Sequence, residues 1–190
     1  MRLLPAVLGA VVALGISVAS ATAEDPGTLE TLPPAEAADR LEDLGVPPED
    51  IAEDLAILAA ARADADADIV DDSVVYDDGA VVLEFVSPMA LADCPAGRTC
   101  LWDNASYGGA MISFSTTGTV FDLGPLGWVN RASSWANKRA GDAQLGTPGP
   151  ASNWAAASKL CLQANSQAAS MGGWDNAADL VRLSTSSATC

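Results

Sequence analysis

Histidine is absent from the chain, which removes together the commonest general base, the usual zinc ligand and the Ser–His and Cys–His nucleophile pairs. The four cysteines, Cys94, Cys100, Cys161 and Cys190, all fall after residue 93. An even number, in a chain whose first residues read as an export leader, favours two disulfides over reactive or metal-binding thiols, with three connectivities open. Oxidised cysteines leave no thiolate nucleophile. A carboxylate pair in the same half would have to come from Asp93, Asp103, Asp122, Asp142, Asp175 and Asp179, and nothing in their spacing marks a cleft. The chemistry left to the chain is binding, and no enzyme is expected.

The first 23 residues read as an export leader. Arg2 supplies one positive charge, residues 3–18 are apolar, and Ala21-Thr22-Ala23 is a small-residue cleavage site, which places the cut before Glu24. The apolar run is shorter than the roughly 20 residues that a membrane span needs. A secreted, monomeric protein is expected, with no membrane attachment after cleavage.

Charge divides what remains. Residues 24–87 carry 19 acidic residues against Arg40 and Arg62, whereas residues 88–190 carry six acidic and six basic ones, within a total net charge of -16. Such asymmetry marks units of different duty and makes nucleic acid an improbable partner for either. The first unit reads as a small acidic α+β pre-domain. Short helices are expected over 35–44 and 49–61, the second with Ile51, Leu55 and Leu58 on one face and Pro48, Glu49 and Asp50 at its start. The alternation Ala63-Asp64-Ala65-Asp66-Ala67-Asp68 could attract a divalent cation, but a solvated linker extended by like charges is the preferred reading. Two runs, Ser73-Val74-Val75-Tyr76 and Ala80-Val81-Val82-Leu83-Glu84-Phe85, flank Asp77-Asp78-Gly79 and form a strong hairpin signal. The helices are expected to cover this hairpin. The unit could be a removable propeptide or a solubilising arm.

The densest stretch runs from Cys94 to Trp135. Two cysteines bracket Pro95-Ala96-Gly97-Arg98-Thr99, Trp102-x4-Tyr107-x-Gly109 follows, and residues 111–114 alternate as a half-buried strand. Gly108-Gly109 marks a backbone position with positive φ, needed for a sharply folded hairpin. These residues resemble the Greek-key motif of the βγ-crystallins, in which a later serine, here Ser134, pins the hairpin. The opening Cys94-Pro95-Ala96-Gly97-Arg98-Thr99-Cys100-Leu101 and Ala132-Ser133-Ser134-Trp135 narrow the likeness to the secreted bacterial peptidase-inhibitor family I36, across residues 92–190. The resemblance implies a mainly β fold, a βγ-crystallin-like Greek-key sandwich over residues 88–190, and an extracellular peptidase as partner, with metalloproteases as the target class. It also implies the pairings Cys94–Cys100 and Cys161–Cys190. The second would close about 30 residues and contribute on the order of 3–4 kcal/mol.

A second Greek key is expected after a connecting loop over 141–150, because Lys159-Leu160-Cys161-Leu162 echoes Thr99-Cys100-Leu101-Trp102 and one key alone has half a core. No aromatic-x4-aromatic-x-Gly follows Leu162; only Ser170-Met171-Gly172-Gly173-Trp174 does. Likeness to microbial βγ-crystallins also implies candidate calcium ligands, because their paired polar stretches supply oxygen to a hard cation. They are Asn130 and Ser133 in the first stretch, and Asp175, Asn176 and Asp179 in the second. The bland alternative gives Ser133 and Ser134 to hairpin hydrogen bonds and Asn130 and Asn176 to turns. No cofactor is required on either reading. The inhibitory loop is unassigned; its exposed candidates are residues 141–153 and 165–173. Trp128, Trp135, Trp154 and Trp174 could form a sugar platform but read better as core, and Met89, Met111 and Met171 read as packing.

Overall fold

A computed structural model describes residues 28–85, 90–147, 151–188 and 190. The leader over 1–23, the unit boundary at 87/88 and Met89 lie outside the described residues. Two helices, α1 (Pro34–Asp43) and α2 (Pro48–Ala63), precede three strands, β1 (Ala67–Val70), β2 (Ser73–Tyr76) and β3 (Val81–Glu84). Each helix opens on a proline, whose fixed φ suits the first turn and whose missing N–H has no partner to lose there. Eight further strands follow: β4 (Thr99–Asn104), β5 (Gly108–Phe114), β6 (Val120–Asp122), β7 (Ser134–Asn137), β8 (Ala143–Thr147), β9 (Ser158–Leu162), β10 (Ser166–Ala168) and β11 (Leu180–Leu183).

These strands build two antiparallel sheets, β1-β2-β3-β5-β4-β7-β10 and β6-β11-β8-β9. Strands β4 to β7 form one Greek key and β8 to β11 a second. Each key sends its third strand into the other's sheet: β6 pairs with β11, and β10 with β7. That exchange is the two-key arrangement of a βγ-crystallin sandwich, so the mainly β fold expected from the sequence is present.

Three elements differ from the sequence reading. The second key starts at β8, inside the stretch read as a connecting loop over 141–150, and the echo at Lys159-Leu160-Cys161-Leu162 belongs to its second strand. Gly146 hides strand character there, although Ala143 and Leu145 alternate inward as a strand requires. The acidic alternation is not an extended linker: Ala63 closes α2, residues 64–66 form a turn in which Asp66 N donates to Asp64 Oδ1 (3.0 Å), and Ala67 and Asp68 enter β1 opposite Tyr76 and Val75. Pairing to the hairpin satisfies backbone groups that a solvated linker would leave to water.

The third difference concerns the acidic unit, which does not close on itself. Its β3 pairs with β5 from Val81↔Phe114 to Glu84↔Met111, so the hairpin extends the sandwich's larger sheet. Arg98 fastens the turn by donating to Gly79 O (3.0 Å) and Ala80 O (3.3 Å) as well as to Ser113 O (3.0 Å). Asp77, Asp78 and Gly79 all take positive φ there, which lets β2 turn back into β3.

The helices do cover the hairpin. Leu41, Ile57, Leu58 and Ala61 share one core with Val74, Leu83, Ile112, Leu145 and Val181. On α2 the fully covered positions are Asp54, Ile57, Leu58 and Ala61, while Ile51 and Leu55 are half-buried. The face is turned from the expected one toward a charged residue. On the outer side of the larger sheet, Cys94, Cys100, Trp102, Met111 and Ala136 make a second cluster, with Leu91 and Tyr107 against it.

Removal of the acidic unit would bare the β5 edge and strip Val81, Leu83 and Phe85 from the core, a loss of several kcal/mol at roughly 25 cal/mol per Å² of apolar surface. A fragment covering residues 88–190 is therefore expected to aggregate or to melt without cooperativity when followed by circular dichroism and size-exclusion chromatography. A monomeric fragment that melts as sharply and at the same temperature as the whole chain would contradict the shared core.

Candidate functional site

The first key's folded hairpin is held as its motif residues imply. After β4, Ala105–Tyr107 makes a single 3-10 turn, and the Ser134 hydroxyl donates to Asn104 O (2.7 Å) while accepting from Tyr107 N (3.0 Å). Tyr107 stands edge-on to Trp102, with ring centroids 5.2 Å apart. Gly109 has φ +74°, and a Cβ there would fall on the Asp103 carboxylate. No other residue fits. In the second key the positions of Trp102 and Ser134 are taken by Gly146 and Leu180. The serine pin is missing, and Trp154 lies over Gly146 instead, its Cζ3 only 2.7 Å from where a Cβ would stand.

The two polar stretches meet reciprocally. Asn130 N donates to Ala178 O and Asn176 N to Ala132 O, each at 3.0 Å, with φ +58° at Asn130 and +51° at Asn176. With its amide nitrogen turned inward, Asn176 donates to Arg131 O (2.9 Å), Asn130 O (3.2 Å) and Ser133 Oγ (3.2 Å). Asn130, Ser133 and Asn176 are thus brought together. Asp175 is exposed and makes no described side-chain contact with them, and Asp179 accepts instead from Thr147 Oγ1 (3.3 Å).

A guanidinium already stands at this junction. Arg131, 6 % exposed, pairs with Asp103 (2.8 Å), Asp54 (2.9 Å) and, more loosely, Glu53 (3.8 Å), and its Cζ lies 4.6 Å above the Trp128 ring. A polar cavity of about 210 Å³ opens beside it, between Asp50, Glu53, Asp103, Asn130 and Asn176. Burial pushes the carboxyls of Asp54 and Asp103 up to about 6, against the pull of Arg131. Two carboxylates share one cation, and one oxygen of each, Asp54 Oδ2 and Asp103 Oδ1, accepts no hydrogen bond among the described residues. The same carboxylates hold Arg131 above its ordinary value. The sequence reading missed this cluster, although Asp54 sits at i−3, i−4 and i−7 from Ile57, Leu58 and Ala61, a spacing that puts it on their face.

Other carboxylates serve the backbone. Asp93 Oδ2 accepts from Ala90 N (2.6 Å) and Asp122 Oδ1 from Gly124 N (2.9 Å). Asp142 accepts from Ala164 N (2.9 Å) and Cys190 N (3.3 Å) beside the disulfide Cys161–Cys190, and the other disulfide is Cys94–Cys100. Trp102 and Trp128 are fully buried, Trp135 and Met171 nearly so, and Trp154 and Trp174 are half-buried.

The strand exchange and pinned hairpin define a βγ-crystallin-type Greek-key protein, and a solved structure described as "Evolution of the eye lens beta-gamma-crystallin domain fold" is similar at 17% identity, TM-score 0.43, covering 55% of this chain and 97% of that one. Within that class, residues 87–145 match the model of peptidase inhibitor family I36. No curated protein matches the chain. The family match supports peptidase inhibition in general and points to a protein that is not an enzyme. Together with two disulfides it points to an extracellular protein, and no described helix is long and apolar enough to cross a membrane.

Two outcomes follow for stability. Gly109→Ala is expected to destabilise by at least ~2 kcal/mol in chemical denaturation, from positive φ and the Asp103 clash together; a change below ~0.5 kcal/mol would contradict the geometry. Because the folded-state values of Asp54 and Asp103 exceed the ordinary 3.8, the folded chain binds protons more tightly than the unfolded one. Their contribution is greatest below about pH 4 and is lost as pH rises through about 6. Asp54→Asn should at least halve the stability lost between those values, measured as denaturation midpoints. An offset equal at every pH would contradict the assignment.

Proposed function

We propose that the chain is an exported inhibitor of a metallopeptidase, presenting a pre-organised surface loop to the enzyme. The match of residues 87–145 to family I36 carries this reading. A rigid sandwich supports it, because a loop fixed before docking loses little conformational entropy on binding and, once seated, is cut slowly. Export is supported by the leader pattern over 1–23 and by the paired cysteines. The candidate loop stretches from the sequence are residues 141–153 and 165–173; Ala143–Thr147 of the first and Ser166–Ala168 of the second are the sheet strands β8 and β10, and neither stretch is closed by its own short disulfide.

The test is titration of a thermolysin-like metallopeptidase with the oxidised chain from Glu24. Stoichiometric loss of activity, with the chain recovered uncut, is the expected outcome. Full residual activity in the presence of folded, intact chain would overturn the metallopeptidase assignment.

A calcium-binding or purely structural module is the second reading, favoured by the convergence of Asn130, Ser133 and Asn176. Against calcium stands Arg131, whose guanidinium neutralises the nearby carboxylates, while Asn176 ties up the carbonyls of Asn130 and Arg131. Calorimetry with millimolar calcium is expected to give no binding heat. A saturable heat abolished by Asn176→Ala would establish the ion site instead.

A further inference from the structure

The smaller sheet ends on β9, and among the described residues no hydrogen bond reaches the backbone of residues 158–161 from the side away from β8. The other outer strands are poorer templates. β1 lies among Asp64, Asp66 and Asp68, and β6 and β10 have only three residues each. Directly paired residues share a face, so Lys159, Gly146 and Leu180 form one row on the sheet's outer side, and Cys161, Gln144 and Arg182 the next.

Trp154 lies on Gly146 in the first row, with Lys159 Nζ at 5.2 Å and Arg182 Cζ at 6.0 Å from its ring centroid. Both cations are exposed, and neither forms an ion pair among the described residues. Lys159 does donate to Ala157 O (2.9 Å). In a chain of net charge -16, two such cations gathered on one aromatic ring beside an open strand edge form a surface of opposite sign to the acidic N-terminal unit.

We propose that the β9 edge, with Trp154, Lys159 and Arg182, is a docking strand for an extended acidic peptide segment of a partner protein. The segment's main chain adds to β9 through the unused N–H and C=O groups, and alternate side chains lie over the outer face. Lys159 stands on the docking strand and Arg182 two strands further in, about 10 Å away. Both cations converge on the Trp154 ring, so the acidic side chains of a segment laid beside β9 meet Lys159 first, with Arg182 adding positive charge from further in. Trp154 keeps part of the surface dry and strengthens those pairs. An anionic polysaccharide fits less well, because Gly146, Lys159 and Arg182 already stand against the half-buried Trp154 ring and leave it little free surface for a sugar. The inference stands independently of the inhibitory reading.

The test is a ¹⁵N–¹H titration of the oxidised whole chain with an acetylated, amidated hexapeptide alternating valine and glutamate. Saturable shifts confined to the amides of residues 158–162 and the Trp154 indole are expected. Affinity should fall about tenfold in the Lys159→Glu, Arg182→Glu double variant, whose remaining spectrum reports an intact fold. The valine–lysine counterpart should leave the same signals in place. No shift at β9, shifts that persist at equal affinity in the double variant, or tighter binding of oligogalacturonate than of the acidic peptide would each overturn the proposal.

Discussion

A guanidinium that is 6 % exposed must be neutralised by groups inside the protein, and Arg131 draws them from two distant parts of the chain. Asp103 comes from the end of strand β4, and Asp54 from the middle of α2. Breaking either pair leaves a buried charge without its partner, which is far more destabilising than the intact pair is stabilising. The acidic helix is therefore seated on the Greek-key sandwich by a contact that tolerates little displacement. Arg98 does the same at the other end, where it bonds the β2–β3 turn. Between these anchors β3 lies along β5 for four residues. The charge excess of the N-terminal unit faces water, while its apolar residues and Asp54 belong to the common core.

The sandwich rests on a near-twofold exchange. Ser133 N bonds Trp102 O and Asp179 N bonds Gly146 O, while Met171 N bonds Ser133 O and Leu123 N bonds Asp179 O. The same backbone links are made twice by sequences that share almost no side chains. The first key closes its hairpin with Ser134, and the second with the bulk of Trp154 over Gly146. Similar backbone geometry with different side-chain solutions explains how the family match can end at residue 145 while the fold continues to the terminal disulfide. The exchange also aligns the two polar stretches. In this chain the centre of that junction is given to Arg131, with Asn176 bridging the neighbouring carbonyls.

Much of this was legible in the sequence where local chemistry dictates structure. The Trp102-x4-Tyr107-x-Gly109 hairpin, the Asp77-Asp78-Gly79 turn and both proline-led helices depend on backbone sterics and short-range hydrogen bonds, whereas Ser134, whose bonds span 27 and 30 positions, was legible only through the resemblance to the crystallin motif. The start of the second key was not legible, because Gly146 and Gln144 weaken the alternation of β8 and its partner β11 lies more than 30 residues away. Nor was the β3–β5 pairing, since an edge strand's choice of neighbour leaves no local mark. The Asp54–Arg131–Asp103 cluster escaped for a related reason. A buried carboxylate on a helix is recognisable only once its cation is known, and that cation is 77 positions along the chain.

The acidic unit and the Greek-key sandwich fold as one body, joined through a shared core and the β3–β5 pairing. Native-state hydrogen exchange on the oxidised chain tests it directly, because amides that open only by global unfolding share one opening free energy. The slowest amides of α2 and β3 are expected to exchange with the same opening free energy as those of β4 and β5. Exchange in α2 and β3 that is faster by orders of magnitude, with β4 and β5 still protected, would contradict it and make the acidic unit a separable arm.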